Sequence, residues 1–158
     1  MTTIERLVYV EDSEDEVFLT RIVFERERVG TPLVHYARFE ALERDLESGE
    51  LGSLDASLVV VDLNLKLTEG TAVVRALREA PAARDAVIGV CTGSEDPADR
   101  RDALAAGADF FVGKPLDLAC LERICQAVEG LRTVRDADGT LGLVRDGSDL
   151  ATPAHPAR

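Results

Sequence analysis

The feature that most constrains this chain is an uninterrupted apolar run that ends on a carboxylate. Residues 58–61 read Leu-Val-Val-Val, and Asp62 follows directly. Such a run favours a strand covered on both faces, as in a parallel sheet with helices on either side. Ligands of these sheets bind at the carboxyl ends of the strands. The sequence therefore places Asp62 at the edge where a functional site is expected.

Apolar strands alternate five times with helical segments along the chain. The predicted strands are residues 6–10, 33–37, 58–61, 86–91 and 108–112. The predicted helices begin near residues 14, 39, 71, 97 and 118, and the last of them is expected to reach residue 131. The alternation predicts an α/β fold, a doubly wound parallel sheet of five strands with five helices. The inward side of the first helix is expected to carry Val17, Leu19, Thr20, Val23 and Phe24.

The pattern changes after residue 132, which divides the chain into a domain at 1–132 and a tail at 133–158. The tail is rich in Asp, Gly, Thr, Pro and Arg, and Asp138-Gly139 indicates a hairpin between Val134 and Val144. Two alternatives stay open for the tail: disorder, or docking on a partner subunit in a homodimer.

Charge and hydropathy exclude several classes of partner. The formal net charge of −12 disfavours binding to nucleic acid or to an anionic membrane, since both reward clustered Lys and Arg. The chain has no apolar run of membrane-spanning length, and its N-terminus enters the first strand almost directly. We therefore expect a cytoplasmic protein. Lysine occurs only at Lys66 and Lys114, so each of the two calls for an explanation.

Polar residues follow four of the predicted strands. Glu11 and Asp12 follow the first strand, Asp62 the third, Thr92 the fourth and Lys114 the fifth. Because these are carboxyl ends of parallel strands, all of them are expected at one edge of the sheet. Each residue alone is more often a helix cap or a solvated loop residue, and their coincidence at one edge favours a site.

The chemistry of this set points to a metal ion and a phosphoryl group. Three carboxylates in one crevice repel one another unless a cation joins them, and oxygen ligands with room for water suit Mg²⁺. Lys114 and the Thr92 hydroxyl can each pair with a phosphoryl oxygen. A carboxylate such as Asp62 is a competent nucleophile toward phosphorus when the developing charge is neutralised.

From residue 5 to about 131, the chain resembles the receiver domain of response regulators of two-component systems. The resemblance implies a flavodoxin-like fold of the CheY type, with strand order 2-1-3-4-5. It implies that Asp62 is the phosphoacceptor, and that Mg²⁺ is bound by Glu11, Asp12, Asp62 and the backbone carbonyl of Asn64. It implies that Thr92 and Phe111 are the switch residues. It also implies that Lys114, which is followed by the cis proline Pro115, binds the phosphoryl group.

The resemblance also implies a mechanism and partners. A sensor histidine kinase donates the phosphoryl group, and the protein assists its own phosphorylation and dephosphorylation rather than acting as a conventional enzyme. The face formed by helix four, strand five and helix five then changes its contacts with a downstream protein, unless phosphate is passed onward. The stretches at 10–20 and 62–65 also resemble single-domain receivers paired with phytochrome-type kinases.

One departure and two other functions complete this interpretation. The family usually has proline four residues after the phosphoacceptor, where this chain has Lys66, which changes the stiffness and charge of that loop.

The first alternative function is that of an adaptor with the receiver fold that is not phosphorylated. The second is a Mg²⁺-dependent phosphatase of the haloacid dehalogenase type, which would place its nucleophile on the first strand with a second aspartate where this chain has Asn64.

Overall fold

The computed structural model describes residues 1–147 of the chain. Its helices and strands, in chain order, are β1 Thr2–Thr3, β2 Arg6–Val10, α1 Glu14–Arg26, β3 Leu33–Tyr36, α2 Phe39–Ser48, β4 Ser57–Val61, α3 Gly70–Glu79, β5 Val87–Thr92, α4 Pro97–Ala105, β6 Phe110–Gly113, α5 Leu118–Ala127, β7 Leu131–Arg135 and β8 Leu141–Arg145. Within this part of the chain, none of the helices has the length and apolar character needed to cross a bilayer.

The main sheet confirms the predicted topology. It has five strands in the order β3-β2-β4-β5-β6, which is the order 2-1-3-4-5 of the predicted strands, and all neighbouring pairs are parallel. Every residue of β4 is buried, as its unbroken apolar run predicts. The carboxyl ends of β2, β4, β5 and β6 therefore share one edge.

Two apolar cores lie on opposite faces of this sheet. One core includes Val17 and Phe24 of α1 together with Ile124 of α5. The other includes Leu42 of α2 and Leu77 of α3, with a contribution from α4. Burying apolar area on both faces stabilises the layered arrangement at roughly 25 cal/mol per Å² and fixes the loops that follow each strand.

Helix α1 begins as predicted but buries a narrower face. The side chain of Ser13 accepts a hydrogen bond from the amide of Glu16, which caps the helix. Val17, Thr20 and Phe24 are buried, whereas Leu19 is 59% exposed. The prediction that Leu19 faces inward was therefore wrong, because the buried stripe runs at steps of three and four residues that leave Leu19 on the outer side.

Helix α5 ends earlier than predicted, at Ala127 rather than at residue 131. Val128 already has an extended backbone, and Gly130 has a φ of 84°, in the left-handed region that glycine adopts at little cost. Leu131 is then the first residue of β7 and is buried. Its apolar side chain continued the helical pattern in the sequence but belongs to a strand.

A second, antiparallel sheet of order β1-β8-β7 follows the parallel one. Thr2 pairs with Arg145 and Thr3 with Val144, so β8 lies between β1 and β7. The domain boundary expected after residue 132 falls inside β7. Within residues 133–145, β7 pairs with β8, and β8 pairs in turn with β1 of the same chain. The rest of the predicted tail, residues 148–158, lies outside the described residues.

Candidate metal centre

Three carboxylates converge at the carboxyl edge of the parallel sheet. Glu11 directly follows β2 and Asp62 directly follows β4, so the two adjacent strands deliver them to the same point. Glu11 is 1% exposed and Asp62 is 4% exposed, while Asp12 is half-buried. One carboxylate oxygen of each lies within 4.8 Å of the others. This is a cluster of buried negative charge that requires a positive partner.

Lys114 supplies positive charge to this cluster in the structure. Its Nζ lies 2.7 Å from Oε1 of Glu11 and 3.4 Å from Oδ1 of Asp62. Burial alone would lower the pKa of Lys114, but its hydrogen bond to Glu11 and the nearby carboxylates outweigh burial and raise the pKa above its usual value. Lys114 is therefore held in its charged form between the two acids.

Glu11 is held from several sides. Its Oε2 accepts a hydrogen bond from the amide of Ser13 at 3.1 Å, and the Tyr9 hydroxyl lies 3.4 Å from Oε1. Nε2 of His35 donates to the Glu11 carbonyl at 2.7 Å. Burial raises the pKa of Glu11, the Lys114 hydrogen bond works in the opposite direction, and the charge of Asp62 adds to the rise. The net result is a pKa of Glu11 above its usual value.

Two backbone amides of the loop after β4 fix the other carboxylates. The amide of Lys66 donates to Oδ2 of Asp12 at 2.7 Å, and the amide of Asn64 lies 3.3 Å from Oδ1 of Asp62. Asn64 is thus beside the acidic cluster, as expected, although its carbonyl role in metal binding stays a prediction. The residue at the unusual position, Lys66, contacts the cluster through its backbone while its side chain is exposed.

The predicted switch residues lie on the neighbouring strands. Thr92 is 1% exposed, and its Oγ1 accepts a hydrogen bond from the amide of Ser94 at 3.1 Å. The Thr92 carbonyl accepts from the amide of Lys114 at 2.9 Å, which fixes the end of β6 against the end of β5. Phe111 is half-buried, and its carbonyl accepts from Arg100 of α4 at 3.3 Å. The Lys114–Pro115 peptide is cis, as expected.

Glu16 is a member of the site that sequence analysis missed. Its Oε2 lies 3.6 Å from Nζ of Lys114, so a third carboxylate, beside those of Glu11 and Asp62, faces that ammonium group. The available signal was the spacing Ser13-x-x-Glu16 of a capping box, which brings the Glu side chain back toward the strand end. Tyr9 and His35 were also missed, because a strand residue and an isolated histidine carry no signal of contact with a neighbouring loop.

The donor set fits a hard divalent cation. Glu11, Asp12 and Asp62 can each offer one carboxylate oxygen, and oxygen ligands of this kind suit a hard divalent cation. When bound, such an ion neutralises charge that develops on a phosphoryl group.

Gly70 gives a prediction about the support of Asp62. A Cβ at this position would lie 2.5 Å from the Asp62 carbonyl oxygen and 2.7 Å from Cα of Leu63, both backbone atoms. We expect Gly70→Ala to displace the Asp62 loop, lower the free energy of unfolding by about 1–3 kcal/mol and weaken Mg²⁺ binding. Urea unfolding and calorimetric Mg²⁺ titration measure the two effects.

The matched control is Gly142→Ala, since a Cβ there has no neighbour within 4 Å. We expect its stability and Mg²⁺ affinity to match those of the wild type. Unaltered Mg²⁺ binding by Gly70→Ala would show that the close approach of α3 does not position Asp62.

The fold and this edge of acids, lysine and threonine define a recognisable class. The family described as response regulator receiver domain matches residues 7–129, and the chain belongs to that family. Receiver domains are phosphoacceptor signalling proteins that take phosphoryl groups from histidine kinases. The match ends before β7, so the β7–β8 hairpin lies beyond it.

Solved structures similar to this chain are receivers as well. A response regulator receiver domain from Rhodospirillum rubrum is 22% identical with a TM-score of 0.63, and the alignment covers 77% of this chain and 89% of that one. The Mn²⁺-bound response regulator Rcp1 is 21% identical with a TM-score of 0.59, covering 76% and 88%. The bacteriophytochrome response regulator AtBRR is 19% identical with a TM-score of 0.65, covering 79% and 92%. At these identities the likeness establishes the fold. A search of curated protein sequences found no match.

Proposed function

We propose that the protein is a response regulator in which Asp62 of the receiver domain accepts a phosphoryl group from a sensor histidine kinase. The observation that carries the proposal is the convergence of Glu11, Asp12 and Asp62 within 4.8 Å, with Lys114 3.4 Å from Asp62. A nucleophilic carboxylate is thereby surrounded by ligands for a cation and by an ammonium group.

The reaction is a transfer between two nucleophiles. The P–N bond of the kinase phosphohistidine breaks as a P–O bond to a carboxylate oxygen of Asp62 forms, and the electron pair returns to the imidazole. Mg²⁺ held by Glu11, Asp12, Asp62 and the carbonyl of Asn64 would neutralise the transferring group. Lys114 would pair with a phosphoryl oxygen. The same groups would orient a water molecule that attacks phosphorus, so that the P–O bond to Asp62 breaks and inorganic phosphate is released; the protein would thus assist both steps.

The expected output is a change at the face of α4, β6 and α5. Thr92 Oγ1 now accepts a hydrogen bond from the Ser94 amide, and donation to a phosphoryl oxygen on Asp62 would draw it away from that amide. Phe111 is half-buried and would move inward to fill the space. This is a two-state element biased by local electrostatics. The altered face would be bound by a downstream protein or by a phosphotransfer partner.

The kinase and the assembly form the narrower part of the proposal. We propose a phytochrome-type kinase because of the sequence at 10–20 and 62–65. Phosphotransfer from such a kinase that is no faster than from an unrelated kinase would contradict this proposal.

We also propose a homodimer through the outer face of the β7–β8 hairpin. Light scattering tests it, since deletion of residues 133–158 should then halve the solution mass. The cytoplasm remains the expected location.

The test of phosphorylation is intact mass after incubation with Mg²⁺ and acetyl phosphate. We expect one phosphoryl adduct on the wild type, none without Mg²⁺ and none on Asp62→Asn. The matched variant Asp102→Asn changes an exposed aspartate on α4 and should keep the adduct. Absence of both an adduct and a beryllofluoride complex would leave the unphosphorylated adaptor as the function, whereas turnover of a generic phosphate ester would indicate a phosphatase.

A further inference from the structure

A cavity of about 310 Å³ adjoins the acidic cluster. It lies between the start of α2 and the loop that joins β4 to α3, and Asp12 belongs to both the cavity wall and the cluster. The amide of Lys66, another wall residue, donates to Asp12. The volume is at the lower end of the range for small-molecule sites. A ligand in this cavity would therefore lie beside a carboxylate of the metal centre.

The cavity wall is apolar on one side and cationic on the other. Phe39 and Leu65 are half-buried against the core, and Leu67 is 65% exposed beside them. Arg38 and Lys66 supply the cations. Within residues 1–147, no ion pair joins either of these two side chains to a carboxylate, although the protein carries a large excess of acid.

Two acids also line the cavity, and they determine when its charge favours an anion. With Asp12 and Glu40 both ionised, the two cations are balanced. A divalent cation bound to the acidic cluster neutralises Asp12, which leaves Arg38 and Lys66 against Glu40 alone. The electrostatic attraction for an anion therefore rises when the metal centre is filled.

We propose that this cavity binds a small organic anion with an apolar body, and that Mg²⁺ at the acidic cluster strengthens the binding. The apolar body packs on Phe39, Leu65 and Leu67 while its anionic group pairs with Arg38 and Lys66. Coupling between two sites is reciprocal, so the anion increases Mg²⁺ affinity by the same factor. A small molecule in this cavity would thereby regulate the affinity of the metal centre for Mg²⁺. The binding itself does not depend on phosphorylation of Asp62.

The test uses the fluorescent aromatic anion anilinonaphthalenesulfonate with the full chain. We expect saturable binding to one site, with a lower Kd in the presence of Mg²⁺. Lys66→Met and Arg38→Met each remove one cation and should raise the Kd by about three- to tenfold. Arg44→Met removes a cation of α2 that does not line the cavity and should leave the Kd unchanged.

Asp12→Asn separates the coupling from other effects of Mg²⁺. The substitution removes the charge that the metal would neutralise, so the variant should bind the probe tightly without Mg²⁺ and show little further change when Mg²⁺ is added. A Kd that Mg²⁺ leaves unchanged in the wild type would overturn the coupling.

Nuclear magnetic resonance locates the probe. Shifts of the amides at 37–40 and 65–68 are expected. The competing surface is the outer side of α1, where Phe18 is 63%, Leu19 is 59% and Ile22 is 42% exposed. Shifts confined to α1, a Kd insensitive to Lys66→Met and Arg38→Met, or absence of saturable binding would each overturn the proposed site.

Discussion

Deletion of residues 133–158 is expected to lower the free energy of unfolding by about 4.5–9 kcal/mol, since burial of each of three large apolar side chains contributes roughly 1.5–3 kcal/mol. The deletion removes Leu141, Leu143 and Val144, which are all at most 5% exposed. It also uncovers Ile4, whose amide donates to the Leu143 carbonyl. Urea unfolding followed by circular dichroism measures the change.

A point variant separates the hairpin from the rest of the deleted segment. Leu143 packs in the core that also holds Leu7 and Ile124, so Leu143→Ala in the full chain is expected to lose about 2–4 kcal/mol. Val134→Ala, at a half-buried position of β7, should lose less than about 1 kcal/mol. If the deletion variant is as stable as the full chain, residues 133–158 contribute nothing to the stability of the receiver domain.

Lys114→Met is expected to lower stability at neutral pH by about 3 kcal/mol without Mg²⁺, because it leaves buried carboxylates without their cation. The same variant should bind Mg²⁺ at least about tenfold more tightly, since the 2.7 Å contact between Lys114 and Glu11 no longer competes with the metal. Unfolding with and without Mg²⁺, and calorimetric titration, measure the two effects. Saturating Mg²⁺ should restore most of the lost stability.

The pH dependence of this variant has a defined sign. The pKa of Lys114 is raised in the folded protein, so its stabilisation is fully present below the unfolded value of 10.5 and is lost as pH rises through the folded value. The pKa of Glu11 is also raised, so the folded state takes up its proton more readily than the unfolded state. Lowering the pH toward the unfolded value of 4.5 therefore favours protonation of Glu11 and removes the unpaired buried charge of the variant. The loss of stability caused by Lys114→Met should accordingly be smaller in acid than at neutral pH.

Lys66→Met is the matched control, because Lys66 and Lys114 are the two lysines of the chain. Lys66 is exposed and contacts Asp12 through its backbone amide. Its replacement should change stability by less than about 0.5 kcal/mol. Equal effects of the two substitutions would mean that net charge, rather than the buried pairing at Glu11, determines the stability.

The parallel sheet and the composition of the candidate site were predictable because both depend on local pattern. The run at 58–61 identified the central strand, and the rule that parallel strands share a carboxyl edge brought Glu11 and Asp62 together before any distance was known. The contact of Glu16 with Lys114 was beyond that rule, since it depends on how the first turn of α1 directs a side chain toward the residue that follows β6.

The second sheet was not predictable for a different reason. Thr2 and Thr3 carry no apolar pattern, and their strand exists because β8 lies alongside. Leu131 continued a helical spacing, and only the backbone of Val128 and Gly130 ends the helix before it. Pairing between distant segments with short, weak signals is decided by tertiary structure.

The pairing of β1 with β8 also determines when the second sheet can form during synthesis. Thr2 and Thr3 are synthesised before the strands of the parallel sheet, and their partners Arg145 and Val144 are synthesised after them. The parallel sheet needs only residues 6–113 and can assemble earlier, because domains fold from the N-terminus as they are made. β1 therefore stays unpaired while the parallel sheet forms, and it pairs only once β8 has been synthesised.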